Sequence, residues 1–592
     1  MELNRRSFIQ AAGATIAAGA FASVALADAP ADQGAPQGAG GPGGPQGGPG
    51  GPGMTAAAAP MPEGYDWRAK PEEITDFVEE VDCDVVVVGK GFSGINAFRY
   101  LCEAGYQAIL VEKSEEEYWM ATGNEFASIN GDAVLAYGAP EIDPVEYYQN
   151  WQRIHGNYCH PELVMKFCLN SAEASNHWLD QFTTEELAGM TSSFLPKTSN
   201  QLDELDGIKF WPSVASFYGS PNETEIGNRN CAAAIAAGGE IRYGYWAEYA
   251  IQDETGAICG FVAEGPDGYV KFNCRALVTA CGGFGGNSAM MADMIRDMQM
   301  AKVDGETLSS MSANNGRGVQ MAFWCGARLE YNTPGMNMKG LSVPGKMNCL
   351  PQATWIESTT GKRFANEFYP VAEQRGLQTV YTARTKKWAV CDDNFTQYRT
   401  YTIPQHAGFE ATESNINSLR ESLDKAYAQF KGTYEEPEKQ EGMGFGGPMA
   451  SNNFIADDTL EGLAAQMGLD EEATANFIQQ IADVNEYAAN GADLQFGRNA
   501  KVLFPVDTPP YYAVEFTPVL GETMVTCGGI ITDGDQRALD KDYNPIPGLY
   551  CTGNDTARRF GVEYCTPTPG VSLGMAITLG RECGKSVAKF LG

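Results

Sequence analysis

Histidine is almost missing from this sequence, with four in 592 residues, and basic side chains are outnumbered by acidic ones, 41 to 75, for a formal net charge of -34. The shortage of cations excludes nucleic acid as a partner, because phosphate binding depends on clustered lysine and arginine displacing counterions. A solvated acidic shell, suited to steering a basic electron-transfer partner, is the better reading. The 15 cysteines include no CxxC and no CxxCH spacing. That speaks against covalent c-type haem and clustered iron-sulfur motifs, although spaced cysteines stay open as cluster ligands; no metal site is expected. Outside the first thirty residues no run is long enough to cross a bilayer, so the mature protein is expected not to span one.

What is present begins with "MELNRRSFIQAAGATIAAGAFASVALADA". Paired Arg5 and Arg6, then Phe8, a weakly apolar run and small-residue cleavage sites make residues 1–29 a twin-arginine export signal; an ordinary secretory signal is the alternative. The expected location is the periplasm, the cell surface or the medium. Residues 30–65 are a Gly/Pro-rich stretch with no apolar periodicity, read as a flexible tether. Folding is expected to begin near Ile74.

"CDVVVVGKGFSGINAFRYLCEAGYQAILVEK" has the order of a βαβ unit. Val85 to Val88 are a β-branched run suited to a parallel strand buried on both faces, and the glycines follow at once. Gly89 makes the tight turn, Gly91 admits a diphosphate to the helix N-terminus and Gly94 lets helix and strand pack. Glu112, eighteen residues beyond Gly94, can accept from ribose hydroxyls. Downstream, Ala276 to Ala280 reads as a buried strand running into Gly282-Gly283-Phe284-Gly285-Gly286-Asn287. Near the end, "PGLYCTGNDTARR" puts Gly553, Asn554 and Asp555 after another buried strand.

This succession, from about residue 82 to the end, resembles the fumarate reductase and succinate dehydrogenase flavoprotein superfamily, which includes the 3-ketosteroid Δ1-dehydrogenases. The resemblance implies an α/β fold: a Rossmann-like FAD-binding domain (78–330 and 515–592) with an inserted α+β capping domain (331–514) that forms the substrate site. It implies FAD, bound noncovalently, because none of His155, His160, His177 and His406 falls in the N-terminal flavin motifs. Gly89, Gly91, Gly94 and Glu112 would hold the adenosine diphosphate half, and Thr122, Gly123 and Ser128 would lie near the isoalloxazine. Gly282 and Gly283 would lie near the dinucleotide backbone, and Asn554 or Asp555 near the ribityl chain. The helix opening at Gly570, Val571 and Ser572 would face the pyrimidine end, which becomes anionic on reduction.

The chain departs from both subgroups where substrate is held. "GETMVTCGG" has Met524 and Val525 where fumarate reductases carry a histidine, "EYNTPG" offers Tyr331 in place of another, and "YCTPTPGVSLG" only approaches the Tyr-containing step of the steroid enzymes. The chemistry common to the superfamily is hydride transfer between flavin and carbon, with a proton moved at the neighbouring carbon. Candidates for that work are Tyr331, Arg363, Tyr564 and the Arg558-Arg559 pair, with Glu367 as a relay. Arg558 and Arg559 could anchor a carboxylate; equally, one could pair with Glu563 or touch the cofactor phosphates. Met336, Met338, Met347, Met443 and Met449 suggest an adaptable apolar pocket. The leading expectation is an exported reductase of an activated C=C bond, an enoate or enone, fed by a separate cytochrome or quinol-linked donor. The alternatives are a dehydrogenase of a steroid-like ketone and a flavin-carrying electron shuttle without its own substrate.

Overall fold

The computed structural model describes residues 56–57 and 65–592, apart from 122, 124, 189–199, 217–220, 304–307, 311–313, 334–341, 344–346, 349, 351, 369–384, 405–410, 436–453, 517–521, 524 and 563. The export signal and nearly all of the tether lie outside the described residues. The fold starts earlier than Ile74: Trp67 is buried, packs on Phe323 at 5.5 Å and donates from Nε1 to Asp293 at 2.8 Å. A single large aromatic is enough to dock a segment that composition alone assigns to linker.

The first strands are β1 (Glu79–Asp82) and β2 (Val85–Val88), and all four valines of β2 are buried. Helix α1 (Phe92–Glu103) follows with Gly91 as its N-cap, and β3 (Ala108–Glu112) lies parallel to β2. A short strand, β4 (Glu125–Ala127), and the long helix α2 (Pro161–Leu179) come next. They are followed by β5 (Glu240–Tyr243) and a meander of β6 (Trp246–Gln252), β7 (Ile258–Gly265) and β8 (Gly268–Asn273), which β1 joins. Strand β9 (Ala276–Thr279) returns to the first sheet.

The inserted unit carries β10 (Thr354–Glu357), β11 (Lys387–Cys391), α3 (Glu413–Phe430), β12 (Ile455–Asp457), α4 (Leu460–Met467), α5 (Glu471–Asn490) and β13 (Tyr511–Phe516). Its four strands form an antiparallel sheet in the order β10-β11-β13-β12. Two apolar clusters form the core of this cap, one under α3 and one under α4 and α5. The sheet ends two residues past the expected boundary at 514. Strands β14 (Arg537–Leu539) and β15 (Pro545–Cys551) then complete the main sheet, in the order β14-β15-β9-β2-β3-β5, parallel except at β14. Helix α6 (Val571–Leu591) closes the chain. This is the expected α/β Rossmann-like arrangement with an α+β insertion.

Candidate functional site

The glycine turn after β2 leaves no room for a side chain at Gly89 or Gly94. Gly89 has φ +106° and packs on the Ala280 carbonyl, and a Cβ on Gly94 would overlap the Gly89 carbonyl oxygen. Glu112, buried at the end of β3, accepts from the backbone N–H of Lys90 at 2.8 Å and of Ser114 at 2.9 Å. One carboxylate therefore ties the glycine turn to the loop beyond β3. Lys90, which sequence spacing leaves unassigned, is buried with Nζ donating to Asn228 at 2.7 Å and lying 3.3 Å from the centroid of the Trp119 ring.

Helix α6 runs against α1, with Gly580 pressed on the backbone of Ser93 and Gly584 on that of Ala97. Nine residues separate this crossing from Val571 and one separates it from Phe92, so the N-terminus of α6 opens about 12 Å beyond that of α1. Two helix N-termini, each favouring negative charge, thus open at the same end of this helix pair at separated points. Gly570, at φ +70°, lies against the Phe126 backbone, and its carbonyl accepts from Ala127 N–H at 2.9 Å. Gly123 sits on Leu573 in the first turn of α6, Val571 is buried and Ser572 is half-buried; Thr122 lies outside the described residues.

Gly282 and Gly283 both have φ +82°. Asp555 shapes this loop: its two carboxylate oxygens accept from Cys281 N–H and Gly283 N–H, each at 2.8 Å, and burial pushes it up to about 6. The acid expected near the ribityl chain is therefore occupied with backbone. Ser128 differs as well. Its hydroxyl pairs with Ser175 at 2.7 Å and donates to the Ser171 carbonyl at 3.3 Å, turning it toward α2.

The strips carrying the remaining candidates meet side by side. Leu329 bridges Ile530 and Ile530 bridges Thr556, bringing Glu330-Tyr331, Cys527-Gly529 and Asn554-Arg559 together across the chain. Arg558 has φ +58°, a left-handed conformation that costs a non-glycine residue roughly 1–3 kcal/mol. It is held there by Glu330, which accepts from the Arg558 N–H at 3.2 Å and ion-pairs with its Nε at 3.4 Å. The Arg558 carbonyl accepts from His160 N–H at 2.8 Å, and its guanidinium lies 5.5 Å from the Tyr158 ring centroid. Burial raises Glu330 to about 7, with Arg558 acting the other way. Glu330 escaped notice in the sequence because an isolated acid in "ARLEYN" carries no spacing signal.

The left-handed turn sends the two arginines apart. The Arg558 side chain is 36% exposed, whereas Arg559 is fully buried, donating from Nη2 to Asn554 at 2.6 Å and from Nε to the Thr556 carbonyl at 3.3 Å. Tyr331 is 44% exposed and lies near the Arg68 guanidinium, while Tyr564 is buried with its ring 4.5 Å from Phe560. His155 is packed between Trp151 and Phe560 and accepts at Nδ1 from Gly561 N–H at 3.2 Å, a structural role beside the site.

Arg363 and Glu367 do not join this group. Both are sealed in the cap, where Arg363 donates to Glu367 at 2.8 and 2.7 Å and to Asp493 at 2.9 Å, with Gln495 at 3.3 Å. Glu367 also accepts from Trp355 N–H at 3.1 Å and lies 3.6 Å from Arg498. Although burial works against it, Arg363 holds Asp493 down to about 2. Every donor of Arg363 is used within the fold, which corrects the expectation that it acts on substrate. Of the suggested methionines, Met336, Met338, Met443 and Met449 lie outside the described residues.

The donor set fits FAD. Positive-φ glycines keep side chains off this loop, and two buried polar groups beside Gly283 and Asn554, Thr526 Oγ1 and Arg559 Nη1, have no partner among the described residues. The profile described as the FAD binding domain matches residues 84–573. Digoxin reductase of Eggerthella lenta is 24% identical over 532 residues, 86% of this chain and 87% of that protein. Urocanate reductase of the same organism is 24% identical over 562 residues, 88% and 78% of the two chains. Among solved structures, the 3-ketosteroid-delta4-(5alpha)-dehydrogenase of Rhodococcus jostii RHA1 superposes with a TM-score of 0.60 at 19% identity, covering 88% of this chain and 99% of that one.

Proposed function

From the premise that this chain belongs to the family of FAD binding domains, we propose that it is an FAD-dependent oxidoreductase acting on a CH–CH bond, and specifically a reductase of an activated C=C bond in an enoate or enone. The observation that carries this reading is the splayed pair at 558–559: one part-exposed cation paired with Glu330, whose neighbour in the chain is the exposed phenol Tyr331, and the other buried against Asn554. When bound, FAD supplies hydride to one carbon of the double bond. Arg558 binds the carboxylate or carbonyl that activates that bond, and its fixed charge favours the negative charge developing there. Tyr331 Oη delivers the proton to the neighbouring carbon. Of the two tyrosines it is the one open to water, from which it can be reprotonated. The cap excludes water from the reacting carbons.

Electrons reach the enzyme from a separate donor protein, in keeping with the missing haem and cluster spacings. Export rests on residues 1–29, and changing Arg5 and Arg6 to lysine should leave the protein in the cytoplasm by fractionation. The test of function is anaerobic. The FAD-loaded chain is reduced with a low-potential viologen, and dye reoxidation is followed with fumarate, urocanate, cinnamate-type enoates and steroid enones. One class should turn over rapidly, and R558Q should raise KM for it at least tenfold with a smaller change in kcat. Silence toward all acceptors, with reduction of oxidised enzyme by a saturated ketosteroid, would reverse the assigned direction.

A further inference from the structure

We infer that Arg559 is the buried counter-charge of the cofactor, and that this side chain, held by Asn554, sets how readily bound FAD accepts electrons. The inference rests on FAD binding but not on the identity of the substrate.

Arg559 is fully buried, and an arginine keeps its proton in proteins, so a full positive charge lies inside the fold. A buried charge without a counter-ion is costly, and partners normally surround it. Here they do not. Among the described residues Arg559 makes no ion pair; it has one bond to a side-chain amide and one to a carbonyl, and Nη1 is buried without an acceptor. Asp555, next in sequence to Asn554, acts on it only through space: both its oxygens accept from Cys281 and Gly283 N–H groups, and it makes no hydrogen bond to the guanidinium. The guanidinium is fixed by Asn554, and Asn554 borders the position a Gly283 side chain would occupy, 3.3 Å from it. Thr526, whose hydroxyl also has no partner, closes the same spot. The charge is thus one hydrogen bond away from the cradle wall.

Two-electron reduction of FAD with uptake of one proton leaves one negative charge on the pyrimidine side of the ring system. A fixed cation in a water-excluded site stabilises that form over the neutral oxidised one and raises the potential. Arg558, exposed at the mouth, is screened by solvent and contributes little to this effect.

The experiment compares full-length, FAD-loaded R559Q and R559K with the parent. One readout is equilibration with a redox dye under dithionite, and the other is the affinity for sulfite, a nucleophile whose addition to the cofactor also leaves it negatively charged. R559Q should bind sulfite at least tenfold more weakly, and a tenfold shift in the two-electron equilibrium is about 30 mV. R559K should stay within threefold of the parent. Equal losses in R559K and R559Q would assign the effect to packing and overturn the inference, as would an unchanged R559Q. Should R559Q fail to retain FAD, N554D decides: a carboxylate on the guanidinium should cancel its charge and give the tenfold loss, and an unaltered N554D overturns the proposal. None of these readouts needs an acceptor, so failure to find a reducible C=C substrate leaves them intact.

Discussion

Two arginines excluded from water, Arg363 in the cap and Arg559 in the cofactor-binding half, are built in opposite ways. Arg363 is saturated by Glu367, Asp493 and Gln495, while Arg559 keeps an amino group without a partner. Their acids differ in the same sense. Asp493 is held down to about 2 by its arginine despite its burial, whereas burial lifts Glu330 and Asp555, on the cofactor side, to about 7 and about 6. Of these two sites, the one in the cap answers its arginine from within the fold, and the one in the cofactor-binding half keeps a donor free of protein partners among the described residues where a ligand comes.

The sharpest way to break the comparison is R363M. It leaves two buried carboxylates short of their main partner and should destabilise the protein by about 3–5 kcal/mol in urea unfolding, with the retained FAD spectrum unchanged. A loss below about 1 kcal/mol would remove the distinction between the two halves. Next comes pH. Glu330 goes from 4.5 in the unfolded chain to about 7 in the fold, so the native state binds the extra proton and stability falls as pH rises through that window. The full effect is about 3 kcal/mol, and the stability of the parent relative to E330Q should fall by that amount from pH 4 to pH 8. Asp493 has the opposite sign: its contribution is present above 3.8 and is lost as pH falls toward 2. A flat difference for E330Q would mean that the carboxylate stays charged in the fold. The smallest expected effect is that of S128A, about 1 kcal/mol of stability from the lost Ser175 bond with no change in cofactor affinity by fluorescence titration. A weakened affinity would return Ser128 to the cofactor wall.

The cofactor-binding half was legible because its signals are local. Val85 to Val88 match a buried strand residue for residue, and Gly89 and Gly94 stand where close approaches require them. What could not be read are partnerships across long stretches of chain. Arg363 and Asp493 are 130 positions apart, and Arg558 and Glu330 are 228 apart. "RFANE" looks like an exposed i,i+4 pair with room for a substrate until Asp493 arrives from beyond α5. The cap sheet was hidden for a similar reason, since its strands of three to six residues are separated by long inserts and show too few alternations to establish a period. In the 558–559 pair the residue types pointed to the site, but the left-handed turn that divides them is a property of the backbone, and arginine rarely marks such a turn.

The crossing of α6 over α1 has a consequence in time. Ser93 and Gly580 must touch for the cleft to exist, and at roughly 5–20 residues per second the ribosome makes the second at least about 25 seconds after the first. Through that interval the glycine turn can be formed while the opposite wall has not yet been made. Loading is therefore one of the last events in the birth of the molecule, and a chain stopped just short of its final twenty residues would carry almost every cofactor contact and still be unable to keep the cofactor.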